Sequence, residues 1–409
     1  MYKKKKKDSI VRSQRIEIYP TDNQKILLQK SFDIRRFAWN KGLMEWNFMY
    51  EEFKKTRNIN DYPTGRKIRD KYTNEVKPKY PWMSEPSKEA AQEAFDDLQD
   101  AFDKYRDYKK STWLKKLHHS KDFIPKVGHP KFKSKIYDRD RYREVSTSGK
   151  YPSILWKQNR LYLPKFKRKN YLKTSTLCRY PQGKLKRVVI SRSGDRYYAS
   201  CLFEFKKVPV QHTLTKVNHT QPKVGVDVGI KTLAALNTGK NFVGADVKQI
   251  NKRIKRLQQQ RSRQKFGSSN RSKTIIKLDR AYRRKANMLN DQLHKTTTWL
   301  VTHYDQINIE DMRVSNMIKN HNLAGSLADA QFYNFKIYLQ YKAKYIKQQE
   351  NRIVNIQTVN PNNTTQKCSR CGFKQTKYLD LTVRTMRCEN CGFIKDRDTN
   401  AAINIYNLA

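Results

Sequence analysis

The chain has 409 residues, and its 87 Lys and Arg against 37 Asp and Glu give a formal net charge of +50 at neutral pH. Single cores stop growing at about 250 to 300 residues, so several compact units are expected. A charge surplus of that size calls for a polyanion, which makes nucleic acid the expected partner. No apolar stretch approaches the roughly 20 residues of a spanning helix, and MYKKKKKDSI carries a basic run without the apolar segment of a secretory signal. The expectation is a protein that stays inside the cell and off the membrane. Lys3 to Lys7 read either as a solvated tail or as an arm for nucleic acid or nuclear targeting.

In chain order, Ile16 and Ile18 alternate as in a strand before Pro20 turns the chain. Thr21 or Asp22 can cap the helix that follows, with Ile26, Leu27, Phe32 and Phe37 as its apolar residues. A helical pattern then runs to about residue 115, and Phe95, Leu98, Phe102 and Tyr105 recur at steps of three and four as one buried face. PKVGHPKFKSK (125–135) suits a loop that meets phosphates. Between about 142 and 208, short alternating runs broken by turn residues predict a meander or small barrel, which the strand at 15–19 should join for want of another partner.

A second region begins near 221, where QPKVGVDVGIKTLAAL predicts a buried strand carrying one acid. A basic helical hairpin (246–264 and 272–302, with a loop at 266–270), a strand INIED (307–311), a helix (329–350), a strand (352–359), a cysteine module and a helix from about 399 follow. Strands alternating with helices indicate an α/β sheet.

KCSRCG (367–372) and RCENCG (387–392) set Cys368, Cys371, Cys388 and Cys391 in two CxxC pairs at zinc-ribbon spacing. Four thiolates suit a closed, structural, tetrahedral Zn²⁺ site. Cys178 and Cys201 stand apart and read as ordinary strand residues. Among the acids, Asp227 lies in an apolar strand, Glu310 ends a second strand, and Asp398 enters a helix whose Ala401 and Ala402 permit close approach to the sheet. A buried carboxylate is costly without a compensating cation. Three carboxylates at element ends that converge on one side of a sheet would bind Mg²⁺, and a pair of such ions can drive phosphodiester cleavage. Singly, Asp227 also reads as a turn residue, Glu310 as a lysine's partner and Asp398 as a helix cap.

VGVDVGIKTLAAL, INIEDMRVSNM, the doubled CxxCG and DRDTNAAINI, in that order, resemble the three split RuvC motifs and zinc-ribbon insertion of the transposon-associated TnpB nucleases, ancestors of type V CRISPR effectors. RIEIYPTDNQKILLQKSFDIRRFAWNKGL and GHPKFKS extend the likeness over nearly the whole chain. The resemblance implies a multidomain α/β protein: an RNase H-like RuvC nuclease domain with an inserted zinc ribbon, plus a small β-barrel (wedge) domain interrupted by a helical recognition lobe. On the sequence this gives a basic tail and first barrel strand (1–30), recognition lobe (31–125), wedge barrel (126–220), RuvC motifs I and II with the hairpin 246–302 (221–361), zinc module (362–393) and RuvC motif III helix (394–409).

It further implies an RNA-guided DNA endonuclease. A guide RNA from the transposon end pairs with the target strand of double-stranded DNA, and the protein reads a short adjacent motif, working as a monomeric ribonucleoprotein in the bacterial or archaeal cytoplasm at the nucleoid. Asp227, Glu310 and Asp398 match the catalytic, Mg²⁺-binding triad, and Asp396 falls to a loop or supporting role. Readers of the adjacent motif are sought in the helical lobe, around Asn58 to Lys77. Phe132, between Lys131 and Lys133, reads either as a base-stacking side chain or as a buried one. The rival readings are a catalytically silent RNA-guided repressor, a compact type V CRISPR effector and, more remotely, a strand-transferring transposase.

Overall fold

A computed structural model describes residues 9–117, 126–135, 138–147, 152–166, 170–206, 223–229, 232–311, 331–350, 352–360, 363–376 and 383–408. The basic run Lys3 to Lys7 lies outside them. The chain divides into two compact units, Met1–Val208 and Pro209–Ala409.

In the first unit a seven-stranded antiparallel sheet has the order β2-β6-β7-β1-β5-β4-β3. The strands are β1 (Ser9–Tyr19), β2 (Arg141–Val145), β3 (Leu155–Lys157), β4 (Arg160–Tyr162), β5 (Leu172–Thr174), β6 (Lys184–Ser193) and β7 (Arg196–Lys206). The amino-terminal strand pairs with β7 from Ser9 opposite Lys206 to Ile18 opposite Tyr197, so it does find its partner in the later meander. The two edges of the sheet meet through Ser153, whose hydroxyl donates to Val145 O (3.2 Å) and accepts from Thr147 N (3.1 Å). With Trp156 of β3 lying 6.0 Å from Phe203 of β7, the sheet is curled around its interior.

The predicted continuous helical stretch is broken into α1 (Asp22–Thr56), α2 (Gly65–Lys71) and α3 (Glu89–Leu117), with short helical turns between the last two. Thr21 is the cap: its hydroxyl accepts from Gln24 N while the Gln24 side chain accepts from Thr21 N. Leu28, Phe32, Arg35, Trp39 and Trp46 turn inward, whereas Ile26, one of the expected apolar residues of the helix, is 57% exposed. On α3, Phe95 and Leu98 are buried, Phe102 stacks on Trp46 at 4.1 Å, and Tyr105 is only half-buried. Residues 126–134 have no regular structure and are held to α1 by Trp39 Nε1 to Lys131 O and by Asn40 to Lys133 on both backbone groups. Phe132 on this segment is 60% exposed, which excludes the buried alternative. Cys201 lies buried on β7 as expected, whereas Cys178 sits in the β5–β6 connection rather than on a strand.

The second unit is built on a five-stranded sheet of order β10-β9-β8-β11-β12. Its strands are β8 (Lys223–Asp227), β9 (Thr232–Leu236), β10 (Asn241–Val243), β11 (Gln306–Glu310) and β12 (Asn355–Val359), with β8, β11 and β12 parallel. Val224, Val226, Ile307 and Ile309 pack one face against α5 (Ser269–His303) and α6 (Phe332–Glu350) through Leu300, Phe335 and Leu339. α4 (Lys248–Arg263) joins α5 in the expected basic hairpin, whose small core is Ile250, Ile254, Leu278 and Ala281. A two-stranded ribbon, β13 (Thr385–Arg387) with β14 (Ile394–Asp396), leads into the closing helix α7 (Arg397–Asn407). Among the described residues no helix is long and apolar enough to cross a membrane.

Candidate active site and metal centre

Asp227 and Glu310 end two adjacent parallel strands. Ile309 pairs with Val226, so one step further in the same register sets Glu310 beside Asp227. Parallel strands lie about 4.8 Å apart and facing residues share a side of the sheet, so both carboxylates leave the same face. Asp311 belongs to the other face and bonds Lys336 at 3.0 Å.

Gly225, two residues before Asp227, marks what covers that face. A Cβ on Gly225 would collide with Ala402 O and lie 2.5 Å from Tyr406 N, so α7 rests backbone to backbone on β8. Lys223 Nζ lies 4.6 Å from the Tyr406 ring centre. Gly225 thus faces the turn from Ala402 to Tyr406, Lys223 lies toward Tyr406, and Asp227 feels the charges of Asp396, Arg397 and Asp398, so the helix runs antiparallel to the strand with its amino end toward Asp227. Two strand residues advance about 6.6 Å and four helical residues about 6 Å, so the first turn of α7, which carries Asp398, comes level with Asp227. Ala401 and Ala402, both fully buried, are the small residues this approach requires.

Burial pushes the Asp227 carboxyl well above its ordinary range, the charges of Glu310 and Asp398 add to that, and Arg397 opposes it. Burial also raises Glu310, while the Thr364 hydroxyl, which donates to Glu310 Oε1, works in the other direction. Asp398 is paired with Arg397 Nη2 at 3.4 Å and Arg384 Nη1 at 3.6 Å. Asp396 is the cap of α7: its Oδ1 accepts from Thr399 N at 2.9 Å and Thr399 Oγ1 at 3.0 Å. Capping thus falls to Asp396, and the cap reading of Asp398 is set aside.

The two CxxCG knuckles repeat one turn. Gly372 N donates to Cys368 O and Gly392 N to Cys388 O, at 2.9 and 3.0 Å, with both glycines at positive φ. All four thiol sulfurs lie within 4.8 Å of one another, with Cys368 and Cys391 3.8 Å apart and Cys371 and Cys388 3.6 Å apart. A tetrahedron of Zn–S bonds near 2.3 Å has edges of about 3.8 Å, so the arrangement fits zinc. Among the described residues these thiols are the only group of three or more such ligands gathered tightly enough to hold an ion as they stand. The three carboxylates are less tightly gathered, yet close enough for the charges of Glu310 and Asp398 to add to the effect of burial on Asp227.

Two asparagines of α7 tie the first knuckle to this site. Asn400 Oδ1 accepts from Ser369 N and its Nδ2 donates to Lys367 O, both at 2.8 Å, clasping the backbone on either side of Cys368. Asn404 Nδ2 donates to Lys367 O and Thr364 O, also at 2.8 Å. Gly225, Thr364, Arg384, Asn400 and Asn404 were not singled out from sequence. A glycine inside an apolar strand signals close backbone approach, and only Gly225 offered such a cue.

The chain is similar in fold to a solved protein from a "Cas12f1-sgRNA-target DNA complex", at a TM-score of 0.52 and 15% identity over 98% of this chain and 99% of that one. The mixed α/β fold of this chain is thus shared with that protein. Residues 206–321 match a family described as "Probable transposase" (OrfB_IS605), 332–405 the "Cas12f1-like, TNB domain", and 11–55 a "Helix-turn-helix domain". Over that last span the structure has a strand and one unbroken helix. A Streptomyces pristinaespiralis protein named "Putative RNA-guided DNA endonuclease" is 28% identical over 97% of this chain and 89% of its own length. "Putative RNA-guided DNA endonuclease InsQ" of Escherichia coli K12 is 26% identical over 96% and 90%. A mimivirus "TnpB-like protein L79" is 30% identical over 48% of this chain and 35% of its own length. The chain is a TnpB-type protein.

Proposed function

We propose that this chain is an RNA-guided DNA endonuclease, cleaving double-stranded target DNA beside a short adjacent motif under direction of a transposon-end RNA. Asp227, Glu310 and Asp398 are its catalytic carboxylates and the ligands of a divalent pair, Mg²⁺ in the cell. The observation that carries this reading is the approach of three acids from three distant segments to one another at the carboxyl ends of β8 and β11, two of them made harder to ionise by burial. Buried carboxylates with too little compensating charge are a donor set that suits a hard divalent cation. Bound there, such ions supply Lewis-acid stabilisation of the scissile phosphate and a more acidic attacking water. The chain's own part is to hold the oxygens in register through β8, β11 and α7, and to balance Asp398 with Arg384 and Arg397.

On this reading the four-cysteine module (362–393) is a structural zinc ribbon inserted into an RNase H-like RuvC domain (221–361 and 394–409). The curled sheet serves as the wedge (126–220 with the first strand) and the helices of 31–125 as the recognition lobe. The +50 charge provides backbone affinity for RNA and DNA, leaving sequence to base pairing, and one chain acts with one guide. The test is to incubate the protein, its copurifying RNA and a matched plasmid with Mg²⁺. Linear product from the wild type and none from Asp227→Ala, with RNA binding retained, is expected. Binding without cutting by the wild type would favour a silent repressor, and joined products without RNA would favour a transposase.

A further inference from the structure

The contact between Thr364 and Glu310 is a side-chain bond between residues 54 apart in sequence, and it leads directly to the cysteine module. Thr364 is buried at 3% exposure, and its hydroxyl donates to one oxygen of Glu310, Oε1. Its own carbonyl accepts from Asn404, which also holds Lys367 O, and Asn400 clasps Lys367 and Ser369 around Cys368. The backbone from Thr364 to the first zinc ligand is thus laid along α7, the helix that also carries Asp398.

We propose that Thr364 is a positioning residue for Glu310, and that Asn404 and Asn400 of α7 lock it to the first cysteine knuckle, so that the zinc module sets the orientation of a carboxylate in the divalent-ion site. The inference rests on the proposed role of Glu310. A carboxylate that ligates a metal through one oxygen needs the other fixed, and loss of such a supporting bond typically weakens metal affinity 10- to 100-fold. Neither Thr364 nor Asn404 reaches substrate or ion in this role; they act through Glu310. Two acids of the site are consequently indexed to one helix, Asp398 directly and Glu310 through Thr364.

The experiment compares Thr364→Val, which keeps the shape and removes the hydroxyl, with Thr364→Ser, which restores it, and with Asn404→Ala. Each full-length chain is first checked for one zinc per chain. Two quantities are then read: Mn²⁺ affinity of the protein from the free-ion resonance signal, corrected with Glu310→Gln, and the Mn²⁺ concentration for half-maximal plasmid cleavage by the guide-loaded protein. Thr364→Val and Asn404→Ala are expected to weaken Mn²⁺ binding and raise the half-maximal concentration by roughly 10-fold or more, with KM for DNA unchanged and Thr364→Ser close to wild type. Wild-type Mn²⁺ dependence of cleavage in Thr364→Val, with zinc retained, would overturn the proposal. If Glu310→Gln cuts normally, the catalytic assignment itself fails; if it is inactive while Thr364→Val is normal, only the positioning role fails.

Discussion

Replacing Gly225 by alanine tests the seat of α7 on β8 with a single methyl group. The added Cβ meets Ala402 O and lies 2.5 Å from Tyr406 N and 2.8 Å from Tyr406 Cβ, where ordinary contact begins at about 3.4 Å. The obstacle is helix backbone rather than the end of a flexible side chain, so α7 must retreat by about 1 Å or β8 must bend. Overpacking of this kind costs about 1–3 kcal/mol. In a unit of this size that corresponds to a melting point lower by roughly 2 to 10 °C. The effect on cutting should be larger in proportion, because Asp398 travels with α7, and with it the Asn404–Thr364 link that holds the Glu310 side chain, while Asp227 stays with the sheet. A displacement near 1 Å in a reacting constellation costs on the order of 100-fold in rate. Single-turnover cleavage of a matched plasmid by the guide-loaded variant should therefore fall about 100-fold, with RNA affinity and zinc content retained. Cleavage at the wild-type rate by Gly225→Ala would refute the argument that helix and strand are held in fixed register by backbone contact.

Other outcomes follow from the same structure. Glu310→Ala should abolish cleavage while leaving RNA retention on filters unchanged, since the basic surface is untouched. Cys388→Ser should lose zinc, measured by atomic emission, and should release Cys368 and its neighbours from α7, costing cleavage as well as local stability. In the first unit, burial pushes Glu144, fully enclosed beside Ser87, up to about 8. Its folded-state value exceeds that of the unfolded chain, so its neutral form favours folding at low pH and that advantage is lost between about pH 4.5 and 8. Thermal melts should show Glu144→Gln gaining on the wild type as pH rises from 5 to 8; a constant difference would argue against a proton on Glu144. Phe132→Ala, at an exposed position, should leave the melting point unchanged and weaken nucleic-acid binding if bases stack there.

Much of this arrangement was legible because local chemistry and fold agree. Apolar runs interrupted by one acid became strands ending in that acid, and paired CxxCG knuckles became a four-sulfur cluster. Ile26 of α1 is apolar yet 57% exposed, because apolar type alone does not say which of neighbouring residues turns toward the sheet. The break between α1 and α3 is written in Pro63, Pro78, Pro81 and Pro86, a signal outweighed by the helical periodicity on either side. Asp396 and Asp398 stand two apart in one motif, and only the backbone shows that the first spends its oxygen on Thr399. The bonds of Thr364, Asn400 and Asn404 join residues 31 to 54 positions apart, and nothing in their immediate neighbours announces them.

The helix that rests on Gly225 also has a temporal meaning. Ribosomal synthesis delivers Asp227 and Glu310 long before Asp398, so a nascent chain acquires its nucleic-acid-gripping lysines and arginines first and the last acid of the cluster only when α7 emerges. Products truncated before that segment would carry most of the basic residues yet lack Asp398 and the helix that covers β8.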